Sequence, residues 1–148
     1  MNRAARMALG WLVLLCFLSM ASVVSASEYG PYVLAAPIAT DGDTLRGDVN
    51  IWPDLSVDAA IRVAGVDTPE LKASLPCERA LAVTAKKFTD TWILKNHPIT
   101  ISRIKPDKFS GRYDAVVTGS TGDSLAGALI AAGIGRPYSG GARQAWCQ

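Results

Sequence analysis

Between residues 32 and 66 the apolar positions fall in three short runs separated by turn residues, a pattern of strands. Tyr32 to Thr40, with Val33, Leu34 and Ile38 as its apolar content, predicts a first strand. Asp41-Gly42-Asp43 follows, and Asp-Gly is a strong hairpin signal. Thr44 to Ile51 predicts a second strand. Trp52-Pro53-Asp54 breaks it, and Val57 to Val66 predicts a third with Val57, Ile61 and Val63 on one face.

The period then lengthens. Leu81, Ala85, Phe88 and Trp92 stand at helical spacing, after Ser74 as a cap and Pro76 in a first turn. That stripe is expected to pack on a core, with Lys86, Lys87 and Asp90 on the wet face. Ile99 to Ile104 and Arg112 to Thr118 predict a fourth and a fifth strand. Asp123 or Ser124 then caps a short helix through Ala132, which Gly133 ends. The order is three strands, a long helix, two strands, a short helix. Such a mainly β chain of the α+β type suits a small closed barrel better than an open sheet with exposed edges.

The first 26 residues change the picture of charge and compartment. A basic start (Arg3, Arg6), the apolar run from Met7 to Val24 and the small residues Val24-Ser25-Ala26 have the layout of a signal peptide cleaved after Ala26. The alternative is a retained N-terminal membrane anchor. Cleavage leaves a domain at 27–148, secreted or periplasmic. Losing Arg3 and Arg6 from 15 Lys+Arg leaves 13 against 13 Asp+Glu, so bulk charge gives no support for nucleic-acid binding. The distribution is uneven: residues 27–70 are net −6 and residues 71–148 net +6. The acidic part calls for solvent or a cation, and the basic part for an anion. Cys16 leaves with the leader, and the remaining pair, Cys77 and Cys147, suggests one disulfide in an exported domain.

The residue inventory excludes several chemistries. His97 is the only histidine, in the loop before Pro98, so there is no Ser-His-Asp triad, histidine zinc site or histidine base. No phosphate-cradling glycine loop occurs. Catalysis, if present, runs on carboxylates, arginines and a metal. Asp41-Gly42-Asp43-Thr44 holds two carboxylates on a constrained turn, oxygen ligands suited to Ca2+ or Mg2+. RVAGVDTPE at 62–70 crowds Arg62, Asp67 and Glu70 around a strand end. Gly65 supplies a bend and Pro69 removes a ladder donor. Two acids so close repel unless a cation or a proton lies between them. Gly111-Arg112 opens the fifth strand, and Arg62 with Arg112 would offer two guanidinium forks to a phosphoryl group.

DGDT at 41–44, RVAGVDTPE at 62–70 and GR at 111–112, in this order around a helix, resemble the staphylococcal-nuclease (thermonuclease) family over residues 32–138. The resemblance implies a five-stranded OB-fold barrel with a long helix between strands 3 and 4 and a short helix after strand 5. It implies Ca2+-dependent hydrolysis of phosphodiester bonds in DNA and/or RNA by a monomer. Asp43 and Asp67 would bind Ca2+ by side chain and Thr68 by its carbonyl. Glu70 would activate or orient the attacking water, and Arg62 and Arg112 would grip the phosphate. Three features depart from the family pattern. IWPDLSV (51–57) lengthens the chain before Arg62, and Ser110 separates Phe109 from Gly111-Arg112, where an aromatic residue usually precedes Gly-Arg. The tail ends at Cys147-Gln148, where the prototype continues into another helix, and Cys147 is expected to pin it near Cys77. A non-catalytic OB-type oligonucleotide-binding module is the alternative from another class, and a structural exported domain a third.

Overall fold

The computed structural model describes residues 29–147. The expected leader at 1–26 lies outside the described residues. Five strands close a barrel in the order β1-β2-β3-β6-β5 and back to β1. These are β1 (Tyr32–Asp41), β2 (Thr44–Trp52), β3 (Leu55–Val63), β5 (Ile99–Pro106) and β6 (Arg112–Thr118). A two-residue β4 (Val66–Asp67) pairs with an equally short β7 (Arg136–Pro137) beside it. Two helices complete the chain: α1 (Pro76–Lys95), between β4 and β5, and α2 (Leu125–Ala131), between β6 and β7.

The barrel closes because β1 serves two neighbours. Its first half pairs with β5 through Tyr32, Val33 and Leu34, and its second half stays on β2 as far as Asp41↔Thr44. A register shift in the β2 pairing between Ala35 and Ile38 lies just past the last residue that β1 shares with β5. Such a bulge bends a strand and sharpens its twist, which closure requires. β3 and β6 join in parallel, Ala60↔Arg112 to Val63↔Ala115, with the other barrel pairs antiparallel.

Inside sit Leu34, Leu45, Ile61, Val63, Ile99, Ile101 and Val117, each 1% exposed or less. Trp92 and Ile93 of α1 and Leu125 and Leu129 of α2 extend the same core. Each such side chain contributes roughly 1.5–3 kcal/mol relative to exposure.

Several details differ from the pattern reading. The third strand does not run through to Val66: it stops at Val63, and Ala64-Gly65 turns the chain into β4. Gly65 has φ +87°, a conformation costly for a residue with a Cβ. Val57 shares the face of Ile61 and Val63 yet is 42% exposed, because β3 pairs with β6 only from Ala60 onward and the β2–β3 hairpin outreaches the barrel there. The helix N-cap is Leu75, with no side-chain cap bond, rather than Ser74. Its buried stripe is Ala82, Ala85, Thr89, Trp92 and Ile93, while Leu81 is exposed. The stripe therefore includes a polar residue, Thr89, for a reason that lies in the site below. Ser124 caps α2, accepting from the Gly127 N–H at 3.0 Å.

Cys77, at the start of α1, and Cys147 form a disulfide across 70 residues of sequence. Bonds of this kind persist in oxidising compartments outside the cytosol. Among the described residues no helix is long and apolar enough to cross a membrane.

Candidate functional site

At one end of the barrel three chain turns meet: the Asp41–Thr44 hairpin, the β3–β4 turn and the segment leading from β4 to α1. The hairpin is held from behind by α1. Thr89 Oγ1, fully buried, donates to the Gly42 carbonyl at 2.6 Å. Gly42 lies so close to the helix that an added Cβ would stand 2.7 Å from both the Ala85 Cβ and Thr68 Oγ1. Only glycine fits there, which is why the turn reads Asp-Gly-Asp and the helix carries small residues opposite it.

This close packing buries Asp43, which is 2% exposed. Its carboxylate accepts from Thr44 Oγ1 at 3.1 Å and from the Thr68 backbone N–H at 3.1 Å. Arg62 reaches it at 2.9 Å. Burial raises the Asp43 pKa above the ordinary carboxylate value, and the Arg62 charge and these hydrogen bonds offset only part of that effect. Asp67, 4% exposed, faces the same arginine, its Oδ1 3.4 Å from Arg62 Nη2. The Ala64-Gly65 turn makes this possible. Strict alternation would send Arg62 and Asp67 to opposite faces of one strand. Thr68 is buried and its Oγ1 has no hydrogen-bond partner.

Glu70 sits at the rim. Its backbone N–H donates to Glu78 of α1 at 3.3 Å. Arg112 lies across a 620 Å³ cavity that both residues line together with Arg62 and Tyr138. Asp107 pairs with the Arg112 Nε, and the Phe109 ring lies 4.5 Å from its guanidinium carbon. The structure thus brings Asp43, Arg62, Asp67 and Thr68 into direct contact, and places Glu70 and Arg112 on the cavity beside them.

Two residues outside the six singled out from the sequence belong to this place. Asp41, in the same hairpin, has its pKa raised to about 6, chiefly by burial and then by the nearby Glu70. The turn Asp41-Gly42-Asp43 already marks its carboxylate beside that of Asp43, although the family resemblance gives it no role. The other is Arg143, on the tail. Its Nη2 lies 2.5 Å from Asp67 Oδ1 and its Nη1 pairs with Glu70, with Asp43 Oδ2 at 3.9 Å. Desolvation lowers its pKa, but Glu70 and Asp67 more than reverse this and hold it charged. Only the basic excess after residue 70 hinted at such a group.

The donor set is three carboxylates and the backbone around Thr68, hard oxygen chemistry that fits Ca2+ or Mg2+. The Arg143 guanidinium stands in among these carboxylates as a cation. Among the described residues no three His, Cys, Asp or Glu side chains gather closely enough to hold a metal ion as they stand. No protein-family model matches the chain, and no curated protein matches its sequence.

Proposed function

We propose that the protein is an exported, Ca2+-dependent nuclease of the staphylococcal-nuclease type, acting as a monomer on phosphodiester bonds of DNA and/or RNA. Its barrel is read as an OB-fold with the long helix between barrel strands 3 and 4. The observation that carries this reading is the meeting of Asp43, Asp67 and Thr68 with Arg62 at one barrel end, beside a cavity shared by Glu70 and Arg112. Asp43, Asp67 and the Thr68 carbonyl are the groups that would hold Ca2+. When bound, the cation supplies a Lewis-acid charge for a phosphoryl oxygen.

The chain's own residues do the rest. Arg62 is fixed between two buried carboxylates, so its fork is prepositioned and loses little entropy on meeting a phosphate. Arg112 approaches from β6, oriented by Asp107 and Phe109. Negative charge gathers on the equatorial oxygens of the phosphate as the bond breaks. Two forks aimed at it stabilise the transition state more than the ground state. Glu70, with a side chain 38% exposed, is within reach of solvent and accepts a proton from the attacking water.

The second reading is an oligonucleotide-binding barrel without catalysis. It is favoured by one observation: Arg62 and Arg143 already pair with Asp43, Asp67 and Glu70. Hydrolysis of single- and double-stranded substrates, measured with Ca2+ and with a chelator, separates the two. The nuclease reading expects cleavage that the chelator abolishes. Binding without cleavage under both conditions would establish the alternative.

A further inference from the structure

Arg143 reaches the acidic end of the barrel from 76 residues away in sequence, on a tail held at both ends. On one side β7 pairs Arg136 with Asp67, and the Tyr138 N–H donates to the Gly65 carbonyl at 3.1 Å. On the other side Cys147 is bonded to Cys77 on α1. Between them Arg136 folds the tail back on itself, donating to the Ala145 carbonyl at 3.0 Å with the Trp146 ring 3.8 Å from its guanidinium carbon. The strap so formed lays Arg143 over Asp67 and Glu70, with a side chain still 36% exposed.

We infer that Arg143 is a tethered internal cation of this site, which a divalent cation must displace before Asp67 can ligate it and Glu70 is free to act as a base. The proposal rests on the cation-dependent reading above. Asp67 cannot keep a full bond to a guanidinium and ligate a metal through the same oxygen, and Glu70 cannot hold that guanidinium and accept a proton from water with the same lone pair. Asp67 Oδ1 is the oxygen that both Arg62 and Arg143 use. A group on a short strap closed at both ends acts at an effective concentration in the millimolar range. Untethered guanidinium would exert no such competition. The strap thus sets a threshold: two guanidiniums offset most of the charge of Asp43, Asp67 and Glu70 when divalent cation is scarce, and the site opens by releasing a partly exposed side chain to solvent.

The test is Ca2+ binding by calorimetry on the purified, disulfide-bonded protein without substrate, with melting temperature recorded with and without Ca2+. Arg143→Gln is expected to bind Ca2+ about ten-fold more tightly, the scale of one charge-assisted hydrogen bond. It should also melt lower than wild type without Ca2+ and recover that loss at saturation, which a merely structural contact would not do. Arg143→Lys, keeping charge without the fork, should fall between. If Arg143→Gln does not fold, tighter binding by Arg143→Lys alone supports the proposal. Cys77→Ser with Cys147→Ser should raise affinity less than Arg143→Gln, and add nothing to it in combination. Equal or weaker Ca2+ binding by the folded Arg143 variants overturns the inference. If cleavage then still requires Ca2+, the nuclease reading survives it. Absence of both Ca2+ binding and cleavage in wild type and variants overturns the two together.

Discussion

The two ends of the β2–β3 ladder invert the usual rule of burial. At one end Thr44 pairs with Arg62, and the neighbouring carboxylates of Asp43 and Asp67 are 2% and 4% exposed. At the other end Trp52 pairs with Leu55, and these apolar side chains are 74% and 53% exposed. The same two strands thus bury charge and expose a tryptophan. Packing explains the first end: α1 presses Ala85 and Thr89 against Gly42 and shuts water away from Asp43. Burying a charge is costly unless it is paired, and Arg62 and the Thr68 N–H supply the partners. The second end, where Ile51 and Val57 are exposed as well, has no buried charge to be paired, and apolar atoms make up much of any protein surface. An end that maintains buried, paired charge at a cost is where function is to be sought.

The sharpest way to break this contrast is at the charged end. Arg112→Lys should lose roughly 10³-fold or more in cleavage rate, because an arginine at a phosphoryl transition state is worth about 10³–10⁵ and a point charge cannot reproduce the fork. A steady-state assay with folding checked by circular dichroism decides it; near wild-type turnover would make Arg112 a surface charge. Removing the disulfide with Cys77→Ser and Cys147→Ser should cost on the order of 4 kcal/mol by the chain-entropy argument for a closed loop of 70 residues, read from denaturant midpoints. Thr89→Val removes the only described side-chain support of the Gly42 carbonyl and should cost about 1–3 kcal/mol, while raising the Ca2+ concentration needed for activity. A loss of stability with no change in Ca2+ requirement would mean the hairpin is not a ligand platform.

Two smaller effects test the contrast from both sides. Folded Asp41 holds its proton up to about pH 6, whereas the unfolded chain releases it near 3.8. The folded state therefore binds more protons in that window, and stability attributable to Asp41 falls as pH rises from about 4 to about 6. Asp41→Asn should flatten that part of the stability profile, measured by urea midpoints across the range. At the apolar tip, Trp52→Ser should change stability by no more than about 0.5 kcal/mol and leave cleavage unaltered.

The residues of the charged end were legible because local chemistry announced them. Asp-Gly-Asp and Val-Asp-Thr-Pro-Glu are poor choices for plain turns, and Gly65 gave the means to bring Arg62 beside Asp67. The five barrel strands followed from alternation and turn signals, with errors at strand ends. Val57 does share the face of Ile61, but its exposure was not legible, because the pattern cannot tell how far a hairpin outreaches its barrel. The helical stripe was placed on Leu81 instead of Ala82 and Thr89 because the hydrophobic pattern passes over a threonine whose hydroxyl serves a carbonyl 47 residues away. Arg143 was hidden for a similar reason. Nothing near Gly140-Gly141-Ala142 in sequence marks an arginine that meets its partners only once β7 and the disulfide have folded the tail over the site.

Glu70 and the paired carboxylates are either a working site, as proposed, or a stabilising charge cluster. Glu70→Gln separates these most directly, since it keeps shape while removing the base. Single-turnover cleavage and Ca2+ affinity should be measured on the same folded protein. The expectation is a loss of roughly 10²–10⁴ in rate, as for a positioned general base, with Ca2+ affinity not weakened and at most tightened as Arg143 loses one of its two carboxylate partners. Unchanged cleavage by a folded Glu70→Gln protein would contradict it.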